Sequence, residues 1–261
     1  MKLTIDTQEK TCTISDEEGE RKLPLYSDEA FAAITKCYVN VGWNQRYSYT
    51  FSWMGRPIIQ MPEDMVRIQE IIHRTQPDFI VETGVAHGGS LIFYATLCEA
   101  LHHGHVVGID IDIRPDNRAA IEAHPLSGRI SLIQGSSVSP KVVDTVKDVI
   151  QGAKSVLVIL DSNHSYDHVM RELQLYAPMV TVESYIVATD GVMEQLWDVP
   201  LGHPEWRTDN PSRAARDFAA SHPEFKLGEP KRVFDESALP GSSLATHWPD
   251  AYLQRISKCL A

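Results

Sequence analysis

From about residue 63 onward, short apolar runs alternate with longer amphipathic stretches. The run Val156-Leu-Val-Ile-Leu160 has five apolar residues and no polar alternation, the mark of a strand buried on both faces. The same criterion predicts strands over 79–83, 106–110, 129–134, 155–161 and 185–190. Helical periodicity falls before and between them, near 63–75, 90–102, 115–124, 140–150 and 168–179. Strands that alternate with helices in this way predict an α/β fold with a doubly wound, mostly parallel sheet. Asn210-Pro211 opens a further short helix to about Ala220, with Asn as cap and Pro at the first position.

Two segments stand outside this alternation. Residues 1–62 form an N-terminal extension to the α/β domain of residues 63–261. The extension begins with charge, Asp16-Glu-Glu-Gly-Glu-Arg-Lys22, and then becomes aromatic at Tyr38, Trp43, Tyr47, Tyr49, Phe51 and Trp53. Aromatics at that density suit a lid, a substrate wall or a subunit contact, and equally a helical cap packed on the core. Between Gln195 and Asn210 runs a long irregular loop with Trp197, His203 and Trp206, beside the expected strand ends. Long loops in compact domains often carry function.

Charge and composition narrow the partners. The 261 residues carry 24 basic and 35 acidic side chains, a net charge of −11, with no basic run. Phosphate backbones call for clustered Lys and Arg, so nucleic acid is not an expected partner. The hydrophobic content of 43% fills a sizeable core. Cys12, Cys37, Cys98 and Cys259 are scattered without C-x-x-C spacing, as expected for reduced thiols of a cytoplasmic protein. The polar N-terminus has no signal-type apolar stretch, and no run reaches membrane-spanning length, so no membrane partner is expected.

The candidate chemistry starts at Asp78-Phe-Ile-Val-Glu82-Thr-Gly84-Val-Ala-His87-Gly88-Gly89-Ser90, a strand that ends in an acid and runs into a glycine-rich turn. Glycines let a ligand approach the backbone closely. The dinucleotide pattern G-x-G-x-x-G fails here, because position 86 is Ala86. An acid beside the turn suits a cationic ligand with hydroxyl donors and suits a pyrophosphate poorly. S-adenosylmethionine (SAM), with a sulfonium, an ammonium and no phosphate, meets that requirement; a turn tightened only for packing is the alternative.

Roughly 28 residues beyond Glu82 the next strand ends at Asp110, where a ribose diol would find an acceptor. Asp112 is either a second acceptor or a solvated cap. The fourth and fifth strands end near Asp161 and Asp190, on the same edge of the sheet. Two carboxylates there can hold a hard divalent cation. His164, three residues past Asp161, is placed to take a hydroxyl proton. His87 in the turn could touch the ligand or cap the turn, and His168 falls near a helix start.

Several blocks together resemble the cephalosporin hydroxylase family: Val81-Glu-Thr-Gly-Val-Ala-His-Gly-Gly-Ser-Leu-Ile-Phe93, Gly108-Ile-Asp-Ile-Asp-Ile-Arg114, Gln134-Gly-Ser-Ser137, Leu160-Asp-Ser-Asn-His164 and Pro249-Asp-Ala-Tyr-Leu-Gln-Arg-Ile256. The segment opening at Asn117-Arg118 and running to Pro125 belongs to the same set. The resemblance covers roughly residues 53–256. It implies a class I SAM-methyltransferase fold, SAM as methyl donor, a divalent metal (usually magnesium), a homo-oligomer, and methylation of a hydroxyl on a sugar or secondary metabolite. It places Glu82, Gly84 and Asp110 around SAM, with Ser136 and Ser137 near the adenine; His87, Gly88, Ser90, Asp112 and Asp161 complete the set of candidate cofactor contacts. It makes His164 the base, with Asp161 beside it, and Asp161 and Asp190 the metal ligands. Relatives tend to carry two adjacent acids at the end of the fifth strand, whereas here Thr189 precedes Asp190. That departure leaves three outcomes: weaker metal binding, replacement by Glu194 or water, or no metal. Two other functions stay open, a binding protein on a degenerate methyltransferase fold and an iron oxygenase, which commonly needs two histidines and a carboxylate.

Overall fold

The computed structural model describes residues 2–237, 239 and 243–257. Compactness divides the chain into two units, Met1–Tyr47 with Arg232–Thr246, and Ser48–Lys231 with His247–Ala261.

The smaller unit opens with an antiparallel meander of β1 (Lys2–Asp6), β2 (Thr11–Asp16) and β3 (Gly19–Pro24), followed by helix α1 (Asp28–Asn44). Cys12 and Ile14 alternate onto one face of β2 and are buried with Ala30 and Ala33 of α1. Ser27 caps α1, its side chain accepting from the Ala30 N–H. The charged stretch 16–22 is the β2–β3 hairpin, with Asp16 Oδ1 accepting the Glu18 N–H at 3.0 Å.

The larger unit begins with a short hairpin, β4 (Ser52–Trp53) and β5 (Arg56–Pro57), then α2 (Pro62–Thr75). Its body runs β6 (Phe79–Thr83), α3 (Gly89–Ala100), β7 (His105–Asp110), α4 (Pro115–Glu122), β8 (Ile130–Gln134), α5 (Pro140–Val149), β9 (Val156–Leu160), α6 (Tyr166–Tyr176) and β10 (Tyr185–Ala188). It closes with α7 (Pro211–Ser221), β11 (Phe225–Leu227) and β12 (Tyr252–Arg255). Phe51 and Trp53, the last aromatics of the sequence-defined extension, pack in this unit, and Trp53 Nε1 donates to Thr96 Oγ1 of α3.

The seven-stranded sheet has the order β11-β12-β10-β9-β6-β7-β8. Strands β6 to β10 are mutually parallel, and β12 runs antiparallel to both β10 and β11. Successive residues of one strand serve opposite layers: Val81, Val107 and Val158 belong to one core, Ile80, Val106 and Leu157 to the other. Both faces are therefore apolar, which explains the unbroken hydrophobic runs. The direction of winding reverses between β6 and β9. The register aligns Thr83 with Leu160 and Leu160 with Ala188, so these strand ends are level and the side chains just beyond them share one edge.

Among the described residues no helix is long and apolar enough to cross a membrane. Cys12, Cys37 and Cys98 form no disulfide; Cys259 lies outside the described residues.

Candidate active site

The glycine-rich turn links β6 to α3. Gly84 has φ +94°, and a Cβ there would lie 1.9 Å from the Asp161 carbonyl oxygen. Glycine is required both by backbone conformation and by the close approach of the β9 end. Gly89 is pressed the same way, its Cβ position 2.1 Å from the Pro57 carbonyl oxygen. Ala86 is left-handed with φ +43°, an uncommon state for a residue with a side chain.

Other elements hold this strained turn in place. Asp110 Oδ2 accepts the N–H groups of Val85 (2.8 Å) and Ala86 (3.2 Å), and its Oδ1 accepts from Asp112 N (3.0 Å). Asn117 Nδ2 donates to the Ala86 carbonyl at 2.9 Å. Arg56 donates from Nε and Nη2 to the His87 carbonyl at 3.0 and 2.6 Å, and from Nη2 to Asn117 Oδ1 at 3.0 Å. Asp110 therefore organises the turn itself, with lone pairs left over on its oxygens. Asp112 is exposed and contributes its N–H to Asp110.

Glu82 is fully buried, with Ser90 Oγ donating to its Oε2 at 2.7 Å. Its Oε1 is buried with no hydrogen-bond partner among the described residues. Burial raises the Glu82 pKa well above the carboxylate range; the charge of Asp161 adds to this, while Ser90 and Tyr94 pull it back. A cleft runs along this side of the turn. Its walls are Pro57 to Gln60 together with Gly84 to His87, Gly89, Ser90 and Asp161.

Ser137 is buried, and its Oγ lies 3.3 Å from His168 Nε2. The same nitrogen is 3.2 Å from Ser162 Oγ, which donates to the buried Glu172 at 2.8 Å. His168 thus belongs to a serine–glutamate network under the loop after β9. Ser136 is half-buried, its carbonyl accepting from Ser139 N.

Beyond β9 and β10, Asp161, His164 and Asp190 each place one donor atom within 4.8 Å of the others. His164 Nε2 lies 3.6 Å from Asp190 Oδ2. Burial and the charge of Asp190 push the Asp161 carboxyl up to about 7, against the pull of His164 and a Thr189 hydrogen bond. Thr189 is fully buried; its Oγ1 sits 2.6 Å from Asp161 Oδ1 and 2.9 Å from the Leu160 carbonyl. Where an adjacent acid was expected, a hydroxyl caps Asp161 instead.

Glu194 does not join this cluster. Arg216 holds it with two bonds, at 2.9 and 2.5 Å, and also bonds Asp250 at 2.8 Å. A bidentate guanidinium neutralises the carboxylate and fixes its direction. The assembled group has one histidine and two carboxylates, not the two histidines and one carboxylate of a facial iron triad.

Sequence reasoning missed Arg56 and Gln60 and gave Asn117 no role. Asn117 falls within a motif block, while Arg56 and Gln60 carry no local signal, since they act on residues 31 to 61 positions away.

The family model described as Rhamnosyl O-methyltransferase/CmcI matches residues 45–256. The rhamnosyl O-methyltransferase of Mycobacterium leprae (strain TN) is 29% identical over 171 residues, 64% of this chain and 66% of the relative. That of Mycobacterium tuberculosis (strain ATCC 25618 / H37Rv) is 27% identical over 172 residues, 64% of this chain and 62% of the relative. The chain thus matches just under two thirds of the length of these relatives. Among solved structures, CmcI with Mg and SAM superposes with a TM-score of 0.54 at 17% identity, over 80% of this chain and 78% of that one. Cofactor-bound Rv0187 from MTB gives 0.51 at 14%, over 77% and 81%. These likenesses show the fold, the class I SAM-methyltransferase type with its mostly parallel seven-stranded sheet. The match across residues 45–256 shows more: the chain belongs to the Rhamnosyl O-methyltransferase/CmcI family.

Proposed function

We propose that this chain is a SAM-dependent O-methyltransferase acting on a hydroxyl of a sugar or related small metabolite, assisted by a divalent cation, magnesium first. The observation that carries the reading is the pairing, at one switch point, of a glycine cradle over a buried acid with an Asp–His–Asp cluster. The names of the relatives point to the same chemistry.

The residues fit both groups. Gly84 lines the cleft beside Ser90 and Asp161, and the unpartnered Glu82 Oε1 seeks a donor. Glu82, Gly84, His87, Gly88, Ser90 and Asp110 would hold SAM, with Ser136 and Ser137 toward the adenine. Asp161 and Asp190 are hard oxygen donors with unbalanced negative charge, which a divalent cation would offset. Bound there, SAM supplies a sulfonium-activated methyl group and the cation supplies Lewis acidity toward the acceptor hydroxyl.

The chain contributes alignment and proton removal. The walls of the cleft fix direction at near-attack distance, where much of the rate gain arises. His164 accepts the hydroxyl proton at Nε2, the nitrogen that lies 3.6 Å from Asp190 Oδ2. A base so placed contributes about 10²–10⁴-fold. The reading extends to a cytoplasmic homo-oligomer, with the N-terminal extension as lid or subunit contact; light scattering tests the assembly.

Calorimetric titration of SAM, with and without magnesium, is the deciding experiment. Micromolar binding supports the reading. His164→Ala should then keep SAM affinity while turnover of an accepted hydroxyl substrate falls about 10²–10⁴-fold. Full turnover by that variant removes the assignment of His164. A second reading, a binding protein on a degenerate methyltransferase fold, is favoured by Thr189 in place of an acid; no SAM binding in either condition would move it to first place.

A further inference from the structure

A second cavity, of about 370 Å³, lies on the edge of the sheet opposite the strand ends that carry the Asp–His–Asp cluster. Arg74 reaches it from the last turn of α2 and Tyr185 from the first position of β10, whereas Asp161 and Asp190 follow the other ends of β9 and β10. Lys226 of β11 and Gln254 of β12, directly opposite each other in the ladder, line it as well, as do Glu229 and Lys231.

The cavity gathers donors. Arg74 is fixed without a carboxylate: its Nη2 donates to the Tyr185 hydroxyl at 2.8 Å and its Nη1 to the Lys231 carbonyl at 3.2 Å, and its Cζ stands 5.5 Å from the centre of the Tyr185 ring. Tyr185 is only 3% exposed. Its oxygen accepts from Arg74, while its own proton finds no acceptor among the described residues. Burial raises the Tyr185 pKa, against the pull of Arg74, so the hydroxyl keeps that proton at neutral pH. Neither Lys226 nor Lys231 is in an ion pair among the described residues. Three cations against the one carboxylate of Glu229 leave positive charge in excess here, in a chain whose net charge is −11.

A phosphate group carries close to two negative charges at neutral pH and three strong acceptor oxygens, against one charge and two oxygens on a carboxylate. A guanidinium, two ammoniums and a phenol proton around one cavity match the phosphate. We propose that this cavity is a second ligand site, separate from the cleft beside Gly84, which takes a small phosphate- or pyrophosphate-bearing molecule on Arg74, Tyr185, Lys226 and Lys231. The site does not depend on the methyltransferase reading above and stands on its own residues.

The probe is inorganic pyrophosphate, titrated by calorimetry into the full chain in magnesium-free buffer at about 0.15 M ionic strength. Wild-type protein should bind it saturably at one site. Tyr185→Phe keeps every charge and removes one donor; it should weaken binding about tenfold or more, the loss of one hydrogen bond to a charged group. Lys226→Gln and Lys231→Gln, at exposed positions, should each weaken it about two- to fivefold. SAM affinity should stay unchanged in all three variants. Citrate, which carries its charge on carboxylates, should bind wild type about tenfold more weakly than pyrophosphate. No saturable pyrophosphate binding would overturn the proposal. Wild-type affinity in Tyr185→Phe would do the same, since it would reduce the effect to diffuse attraction, and equal affinity for citrate would remove the phosphate assignment. Thermal unfolding of each variant confirms that it is folded, and the two lysine variants carry the test if Tyr185→Phe is not.

Discussion

The turn after β6 and the cluster after β9 and β10 lie on the same edge of one sheet, and they reach order by different means. In the turn, backbone groups find protein partners: Asp110 takes two N–H groups, and Asn117 and Arg56 take two carbonyls. In the cluster, like charges face one another, and Asp161 is pushed up to about 7 because of burial and Asp190. The turn is finished before any ligand arrives. The cluster carries excess negative charge that the protein only partly offsets, through His164 and the Thr189 hydroxyl. A shape-selective surface and a charge-selective one can therefore sit side by side without sharing a mechanism.

The comparison breaks most visibly at Gly84. Gly84→Ala places a Cβ against the Asp161 carbonyl in a backbone conformation costly for alanine, so the turn and the β9 end must part. A loss of about 3 kcal/mol or more in stability is expected, with SAM binding abolished, by thermal unfolding and calorimetry. Unchanged melting would show that the turn is not preset.

Arg56→Ala should act on the turn alone. Removing the charged donor from the His87 carbonyl should weaken SAM affinity by about 1.5–3 kcal/mol while magnesium affinity stays as it was. Equal loss of both would mean that turn and cluster are one unit.

Thr189→Asp tests the cluster in the opposite direction. A third carboxylate beside Asp161 and Asp190 should lower metal-free stability by about 1–2 kcal/mol and make the melting temperature rise with magnesium. A metal-independent melting temperature would argue against a cation site there.

The smallest effect is expected at the far end of β6. Burial acts to raise the pKa of Asp78, but the N–H groups of Lys154 and Ser155, with His103, outweigh it and hold it below the ordinary value of 3.8. With its pKa lower in the folded state, Asp78 stabilises the protein above pH 4 or so, and that contribution fades as pH falls through the folded value. Asp78→Asn should flatten the acid limb of a melting-temperature profile below about pH 4 and leave SAM affinity unchanged.

The fold was readable where burial leaves a plain pattern. Strand β6 was delimited residue for residue because both its faces are apolar and Pro77-Asp78 and Gly84 bracket it. The meander of residues 2–24 was not, since only Cys12 and Ile14 of it are buried, Leu3 and Leu23 pack on them while half-buried, and most of its other positions are polar. Strands β11 and β12, with three and four residues, are too short to show a period. At the site, the acids at strand ends were legible because parallel strands bring their C-terminal ends to one edge. The bonds from Arg56 and Gln60 depend on how β5 and the segment after it fold over α3, and nothing near them in sequence records that. Glu194 shows the converse: an acid near the right strand end, withdrawn by Arg216.

The position of β12 has a consequence for synthesis. It hydrogen-bonds both β10 and β11, yet it spans residues 252–255, made after everything else in the sheet. While the ribosome is still adding the preceding segment, the open side of β10 has no neighbour and β11 has nothing to pair with. The five parallel strands can assemble as the chain emerges, but the sheet is completed only once translation has passed Arg255. A nascent chain stalled before that point would present an unpaired edge, the kind of surface that chaperones shield.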